Sequence, residues 1–188
     1  MSDNELLDLF HSGQREKAFT LLMEKYQERV YWHIRRMVLT HDDADDVLQN
    51  TFVKVWRALE NFRAESQFYT WLYRIATNEA LNHINIKKKK AVIPFEGNNN
   101  SSDDDDNNFG PSNYLKSDPY FNGDEIELKL QQAIDTLPDK QKQVFLLRYY
   151  DEMPYEDMSE MLGTSVGALK ASYHHAAQKV EAFLLKRD

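Results

Sequence analysis

Apolar residues along this chain recur at intervals of three and four, which predicts helices throughout. Leu6, Leu7 and Phe10 open a short helical piece that Gly13 breaks. Ala18, Leu21, Leu22, Tyr26, Val30 and Ile34 then share one face of a second helix, with Arg29, Arg35 and Arg36 at more exposed positions. Between Ala44 and Leu59 the inward stripe is Leu48, Phe52, Val55 and Leu59, and Asp45, Gln49 and Trp56 lie along an adjacent surface. A polar break follows from Asn61 to Ser66. At about 100° per residue, Trp71, Arg74, Asn78, Asn82, Asn85 and Lys89 fall on one stripe of the next helix, and Phe68, Leu72 and Ile75 point the opposite way. That helix ends in Lys87-Lys88-Lys89-Lys90.

The pattern stops after Lys90. Gly97 to Asn108 contains no apolar residue and includes Asp103-Asp104-Asp105-Asp106. Such a stretch cannot bury enough surface to offset its ordering entropy, so residues 91–123 are expected to be a flexible acidic linker. Periodicity resumes near Asp124. Ile126, Leu130, Ala133, Ile134 and Leu137 make one helical stripe, Pro138-Asp139 restarts the chain, and Val144, Leu147 and Tyr150 belong to the next helix. Tyr155, Met158, Met161 and Leu162 make a short helix ended by Gly163, and Val166, Leu169, Tyr173, Ala176 and Val180 continue beyond Thr164-Ser165. Two helices joined through a three-residue turn with glycine read as a helix-turn-helix, although ordinary helical hairpins share the pattern. The expectation is an all-α chain of two small domains, 1–90 and 124–188.

Composition narrows the chemistry. The 188 residues, with 41% hydrophobic content, lie outside the disordered class. With no cysteine, disulfides, thiolate metal sites and a Cys nucleophile are excluded. The opening Met1–Glu5 is acidic, lacks the basic start of a signal peptide, and no run of about 18 apolar residues follows, so a soluble cytoplasmic protein is expected. The net charge of −8 is unevenly spread. Residues 1–90 hold 14 Lys/Arg against 13 Asp/Glu, residues 91–124 hold 1 against 7, and residues 125–188 hold 8 against 11. Most of the acidity sits in the linker, and a partner with basic grooves could neutralise phosphate on behalf of the rest.

A stripe of Trp, Arg, carboxamides and Lys suits unwound nucleic acid: cations neutralise phosphate, aromatics stack on unpaired bases, and Asn offers both donor and acceptor to a base edge. The alternative is a Trp buried at a domain seam with a solvated flank. No enzyme is indicated. There is no phosphate-cradling glycine loop and no nucleophile with an oriented base, and His174 and His175 diverge by about 100° on their helix, so they cannot act jointly. His33 and His41, close to Asp42, Asp43, Asp45 and Asp46, form no metal site by this reading, because Thr40-His41-Asp42-Asp43 looks like a helix start whose acids favour the N-terminal dipole.

These residues also carry a resemblance. Asp45-Asp46-Val47-Leu48-Gln49-Asn50-Thr51-Phe52, then Phe62-Arg63 and Thr70-Trp71-Leu72-Tyr73-Arg74-Ile75-Ala76-Thr77-Asn78, resemble region 2 of the extracytoplasmic-function sigma factors of bacterial RNA polymerase. Leu137-Pro138, Val144-Phe145-Leu146-Leu147-Arg148-Tyr149, Tyr155-Glu156-Asp157-Met158 and Gly163-Thr164-Ser165-Val166-Gly167-Ala168-Leu169-Lys170 resemble region 4 of the same family. The resemblance implies that Asp45, Asp46, Gln49, Asn50, Phe52 and Trp56 dock on the clamp helices of the polymerase β′ subunit. It implies that Asn61, Phe62, Arg63 and Ser66 in the loop, with Trp71, Arg74, Asn78, Asn82, Lys87, Lys88 and Lys89, recognise and melt the −10 element, the loop holding an extruded base. The recognition helix, Ser165 to about Val180, would read the −35 element through Ser165, Val166, Gly167, Ala168, Lys170, Ser172, His174 and His175. One departure stands out: the family often carries Arg where this chain has Ser172, His175 and Ala177, which leaves Lys170, His174, His175 and Lys179 as the only basic candidates and weakens the expected phosphate grip.

The implied partners are core RNA polymerase, through its β′ clamp helices and β flap, and promoter DNA, with neither cofactor, metal, small-molecule substrate nor membrane insertion. The linker would thread the polymerase cleft or act as a plain tether. An anti-sigma factor packing between the domains is expected, or else a compact self-inhibited form in which the recognition helix folds back toward the first domain. Two other classes remain open at this point: a free-standing dimeric helix-turn-helix regulator, and a helical interaction protein with no DNA role.

Overall fold

The computed structural model describes residues 1–38, 40–92 and 123–186, all of them helical or in short turns. The elements are α1 (Asp3–His11), α2 (Arg15–Arg35), α3 (His41–Leu59), α4 (Phe68–Val92), α5 (Glu125–Asp135), α6 (Asp139–Tyr149), α7 (Tyr155–Leu162) and α8 (Val166–Leu185). Residues 93–122, most of the acidic linker of the sequence reading, lie outside the described residues.

Local chemistry sets most helix starts. Ser2 and Glu5 form a reciprocal capping box at α1, and Thr40, Asp124 and Ser165 accept backbone N–H bonds at the starts of α3, α5 and α8. Pro138 and Pro154 stand immediately before α6 and α7, where a missing N–H costs nothing. Gly163 ends α7 in the left-handed conformation at φ 64°, which glycine adopts without steric penalty.

In the first unit α2 packs against α1, α3 and α4, and α3 packs against α4. Asp3 pins α1 to α2, accepting from Lys25 Nζ and from the Tyr26 hydroxyl, each at 2.6 Å. Burial and that bond together raise the Tyr26 hydroxyl well above the usual tyrosine range. The core of α3 is Ala44, Val47, Thr51, Phe52, Val55 and Leu59. Leu48, expected inside, is only half-buried, because the turn of α3 it occupies faces an open groove rather than α4. In the second unit α5, α6 and α7 surround α8. Ile126, also expected inside, is 73% exposed, lying on the first turn of α5 beyond the reach of its neighbours. Arg35, expected at the surface, is buried at the end of α2, where its Nη1 reaches the Val38 carbonyl at 3.4 Å.

Asp43 ties the start of α3 to the basic end of α4. Its carboxylate accepts from Lys87 Nζ at 2.6 Å and pairs with His83 Nε2 at 2.9 Å. Burial pushes its pKa up, but the bonds from Lys87, Thr40 and His83 outweigh burial and hold the carboxyl below its ordinary range. A carboxyl with a depressed folded pKa contributes stability above its unfolded pKa and loses it as pH falls through the folded value. The melting temperature of Asp43→Asn should therefore lie below wild type at pH 7, with the gap closing below about pH 4. A gap that stays constant across that range in thermal melts would show that the carboxylate charge is not what stabilises.

Candidate functional site

Three surfaces collect the residues singled out in the sequence. The first is a groove of about 800 Å³ between α2 and α3. Phe19, Met23 and Gln27 of α2 line one wall, and Leu48, Gln49, Phe52, Val53 and Trp56 of α3 the other. Asp45 and Asp46 stand at the α3 N-terminal end of the groove and Arg57 at the opposite end. Trp56 is 39% exposed and Val53 43% exposed, large apolar side chains that solvent-facing helix positions seldom carry. Trp56 is held edge-on by Phe19 at 5.0 Å and Phe10 at 6.0 Å, so its ring is positioned before anything binds. Asn50 is exposed but not among the groove residues. Phe19, Met23, Gln27, Val53 and Arg57 escaped the sequence reading. Val53 sits four residues beyond Gln49 and so on the same helix face, a signal that could have found it.

The second surface is the α3–α4 loop and the adjoining face of α4. Asn61 and Arg63 are exposed, and Phe62 and Ser66 half-buried. Ala64 is left-handed at φ 54°, a conformation that alanine adopts at a cost and that turns the loop sharply. Trp71 is half-buried within the first unit, its ring 4.8 Å from Phe62 and 5.8 Å from Phe68, so it is an aromatic platform beneath the loop rather than a seam residue. Asn78 and Asn82 are exposed further along α4, with Lys88 and Lys89 beyond them, whereas the ammonium of Lys87 is engaged by Asp43. Ile75, expected to point inward, is half-buried, and Tyr73, Ala76 and Thr77 complete the buried face instead.

Arg74 has a different neighbour. Its Nη2 donates to the Glu160 carbonyl of α7 at 2.8 Å, and Tyr69 donates to Asp157 of the same helix. Burial, then the bond to Asp157, pushes the Tyr69 hydroxyl up to about 12. The two units thus meet along α4 and α7. His33 takes part in this contact and His41 bonds Tyr31 at 2.7 Å, so the two histidines go to separate partners.

The third surface is the helix-turn-helix of α7 and α8. Met158, Met161 and Leu169 are buried between the helices, and Ser165 caps α8 by accepting from the Ala168 N–H at 3.3 Å. Gly167, Ala168, Lys170, His174 and His175 are exposed along α8, and Val166 and Ser172 are half-buried. The His174 and His175 rings splay at 56° with centroids 5.9 Å apart. Lys170 leans over Tyr155 at 5.7 Å, a position from which its ammonium reaches outward. No helix among the described residues is long and apolar enough to cross a membrane.

Residues 22–90 match the family described as sigma-70 region 2, and residues 127–180 match sigma-70, region 4. The chain is 31% identical over 185 residues to the ECF RNA polymerase sigma-E factor of Haemophilus influenzae, covering 96% of this chain and 94% of that protein. It is 32% identical over 186 residues to the RNA polymerase sigma-H factor of Pseudomonas aeruginosa, covering 97% and 93%. Among solved structures it resembles CnrH in complex with the cytosolic domain of CnrY, with a TM-score of 0.70 at 22% identity over 98% of this chain and 97% of that one. It also resembles the sigma factor RpoE in complex with the anti-sigma factor NepR from Bartonella quintana, with a TM-score of 0.71 at 19% identity over 91% and 99%. At these identities the structural likeness is one of fold.

Proposed function

Since this chain belongs to the extracytoplasmic-function sigma factors of RNA polymerase, we propose that its first unit carries the polymerase contact and promoter opening, and its second unit reads duplex DNA upstream. The observation that carries this division is the full-length match: the likeness to curated sigma factors runs through both units, covering 94% of one of them, and is not confined to the helix-turn-helix. The α2/α3 groove, with Asp45, Asp46, Gln49, Phe52 and Trp56, takes the polymerase clamp helices, with apolar burial supplying affinity and the acidic end setting orientation. The loop Asn61–Ser66 and the platform of Phe62 and Trp71 take unpaired bases of the −10 element, while Asn78, Asn82, Lys88 and Lys89 follow the strand. The recognition helix α8 enters the major groove of the −35 element with Gly167, Ala168 and Lys170 leading, since residues at a recognition helix N-terminus contact base edges.

In this reading the protein redirects the polymerase and performs no chemistry of its own, and it acts in the cytoplasm where the polymerase works. Its further partner is an anti-sigma factor, the kind of protein bound to the Bartonella sigma factor.

Reconstitution tests the assignment. The purified chain mixed with core polymerase should form a stable complex that initiates from a restricted set of promoters, with the chain alone giving no initiation and no tight duplex binding. Specific duplex binding by the chain alone as a dimer, without polymerase association, would overturn the proposed division of roles.

A further inference from the structure

The contact between the units is built around one carboxylate. Asp151 lies in the α6–α7 turn, shaped by Arg148 Nη1 donating to the Met153 carbonyl at 3.2 Å and by the Met153 N–H bonding the Leu147 carbonyl at 3.0 Å. The turn inserts Asp151 between α2 and α4 of the first unit. Asp151 Oδ2 pairs with His33 Nδ1 at 2.8 Å, and Oδ1 accepts from the Tyr73 hydroxyl at 3.0 Å. Arg29 Nη2 reaches the Asp151 carbonyl at 3.4 Å. A carboxylate only accepts, so His33 donates from Nδ1, while its Nε2 meets Thr77 Oγ1 at 2.9 Å and fixes the ring. The pair is buried, with the His33 and Asp151 side chains 1% and 8% exposed. Met153, Met158 and Met161 of the second unit share an apolar cluster with Leu72 and Tyr73 of the first.

The same contact consumes promoter-side groups of both units. Arg74 belongs to the α4 stripe assigned to unwound DNA, and α7 is the helix that crosses the DNA backbone when a helix-turn-helix docks; here they hold each other. Closure is also imperfect, because Arg74 Nε is buried without a hydrogen-bond partner. The α2/α3 groove remains open, as do the outward residues of α8. The recognition helix itself therefore does not fold back, contrary to the self-inhibited form envisaged from the sequence; α7 and the α6–α7 turn make the contact.

We propose that Asp151 is an interdomain latch that holds the free chain closed, in a form that polymerase can capture at the α2/α3 groove but that cannot engage promoter DNA with both units until the latch is released. The proposal rests on the division of roles given above, and it orders the events: polymerase first, opening second, DNA third. It assigns Asp151, His33 and Tyr73 a part in regulation rather than in DNA contact.

The chain has no cysteine, so Lys17→Cys on α2 and Glu181→Cys on α8, both exposed, accept a donor and an acceptor dye without background labelling. Single-molecule energy transfer on the free protein should show one dominant high-transfer population. Asp151→Ala should lower the closed-to-open ratio by about a hundredfold, as expected when a buried carboxylate is lost and the donors of His33 and Tyr73 are left without their acceptor. Tyr73→Phe, which removes one hydroxyl and no packing volume, should lower it by about tenfold. Core polymerase should move the unmodified latch to low transfer. A free wild-type chain already at low transfer overturns the latch, as do Asp151→Ala and Tyr73→Phe leaving the distribution unchanged while circular dichroism and cooperative melting show both folded. If Asp151→Ala does not fold, Tyr73→Phe decides alone. Failure of the sigma-factor division of roles is read separately, as absence of a complex with core polymerase, because the free-chain distributions are measured without it.

Discussion

Replacing Trp56 with Ala is expected to weaken association with core RNA polymerase by at least about thirtyfold, or about 2 kcal/mol, the scale of a central aromatic anchor at a protein interface. The indole is already oriented by Phe10 and Phe19, so little side-chain entropy remains to be lost on binding. The groove beside it, about 800 Å³, is lined by Phe19, Met23, Leu48 and Phe52, and Val53, 43% exposed, widens the apolar area on the same wall. Because Trp56 also touches α1 through Phe10, its loss could loosen the first unit, and the thermal midpoint must be measured alongside. Val53→Asp provides the cleaner companion, since an exposed position leaves no cavity and a carboxylate placed in a groove meant for apolar contact carries a desolvation cost on binding. Val53→Asp should melt near wild type and Trp56→Ala somewhat below it, and both should bind polymerase poorly. Wild-type affinity for core polymerase in both, measured by equilibrium titration, would move the polymerase contact to another face of the molecule.

Much of the fold was legible because it rests on short-range rules. The 3.6-residue period, the helix start at Thr40, the restart at Pro138 before α6, and glycine at position 163 each act within a few residues, and each element they mark is present. The misplaced residues share a cause. Leu48, Ile126 and Ile75 are apolar at helical spacing, yet whether such a position is covered depends on which helix lies opposite, and spacing within one helix carries no such information. Arg35 fails for the opposite reason: a cation is usually solvated, but at the end of α2 its guanidinium reaches the Val38 carbonyl. The groove was half legible. One α3 wall, Asp45, Asp46, Gln49, Phe52 and Trp56, followed from the α3 pattern and the family resemblance, but the wall from Phe19, Met23 and Gln27 needs the packing of α2 on α3. The contact between units was not legible in its particulars, because His33 and Asp151 stand 118 positions apart and neither belongs to a motif.

The same reasoning separates two kinds of residue in the loop before α4 and makes the remaining prediction sharp. Asn61→Ala and Arg63→Ala alter exposed side chains that support no packing, so they test nucleic-acid contact directly. Trp71→Ala removes a ring that packs at a tilt against Phe62 and Phe68 inside the first unit, so it tests the platform. Stacking of an unpaired base on an aromatic ring contributes about 1–3 kcal/mol, and Trp71→Ala should accordingly lower the equilibrium yield of open complex by about tenfold to a hundredfold, with the loop variants at the lower end. The second unit does not use these residues, so binding of the holoenzyme to a −35 duplex should be unchanged in all three variants. Permanganate reactivity of unpaired thymines, on a promoter the holoenzyme recognises, reads the opening step. The defect should persist on a template already unpaired across the −10 element, because the missing interaction is with the separated strand itself. Full recovery on that template would place these side chains in a step before strand separation, and parallel loss of −35 binding would show that the substitutions had damaged the fold instead of the contact.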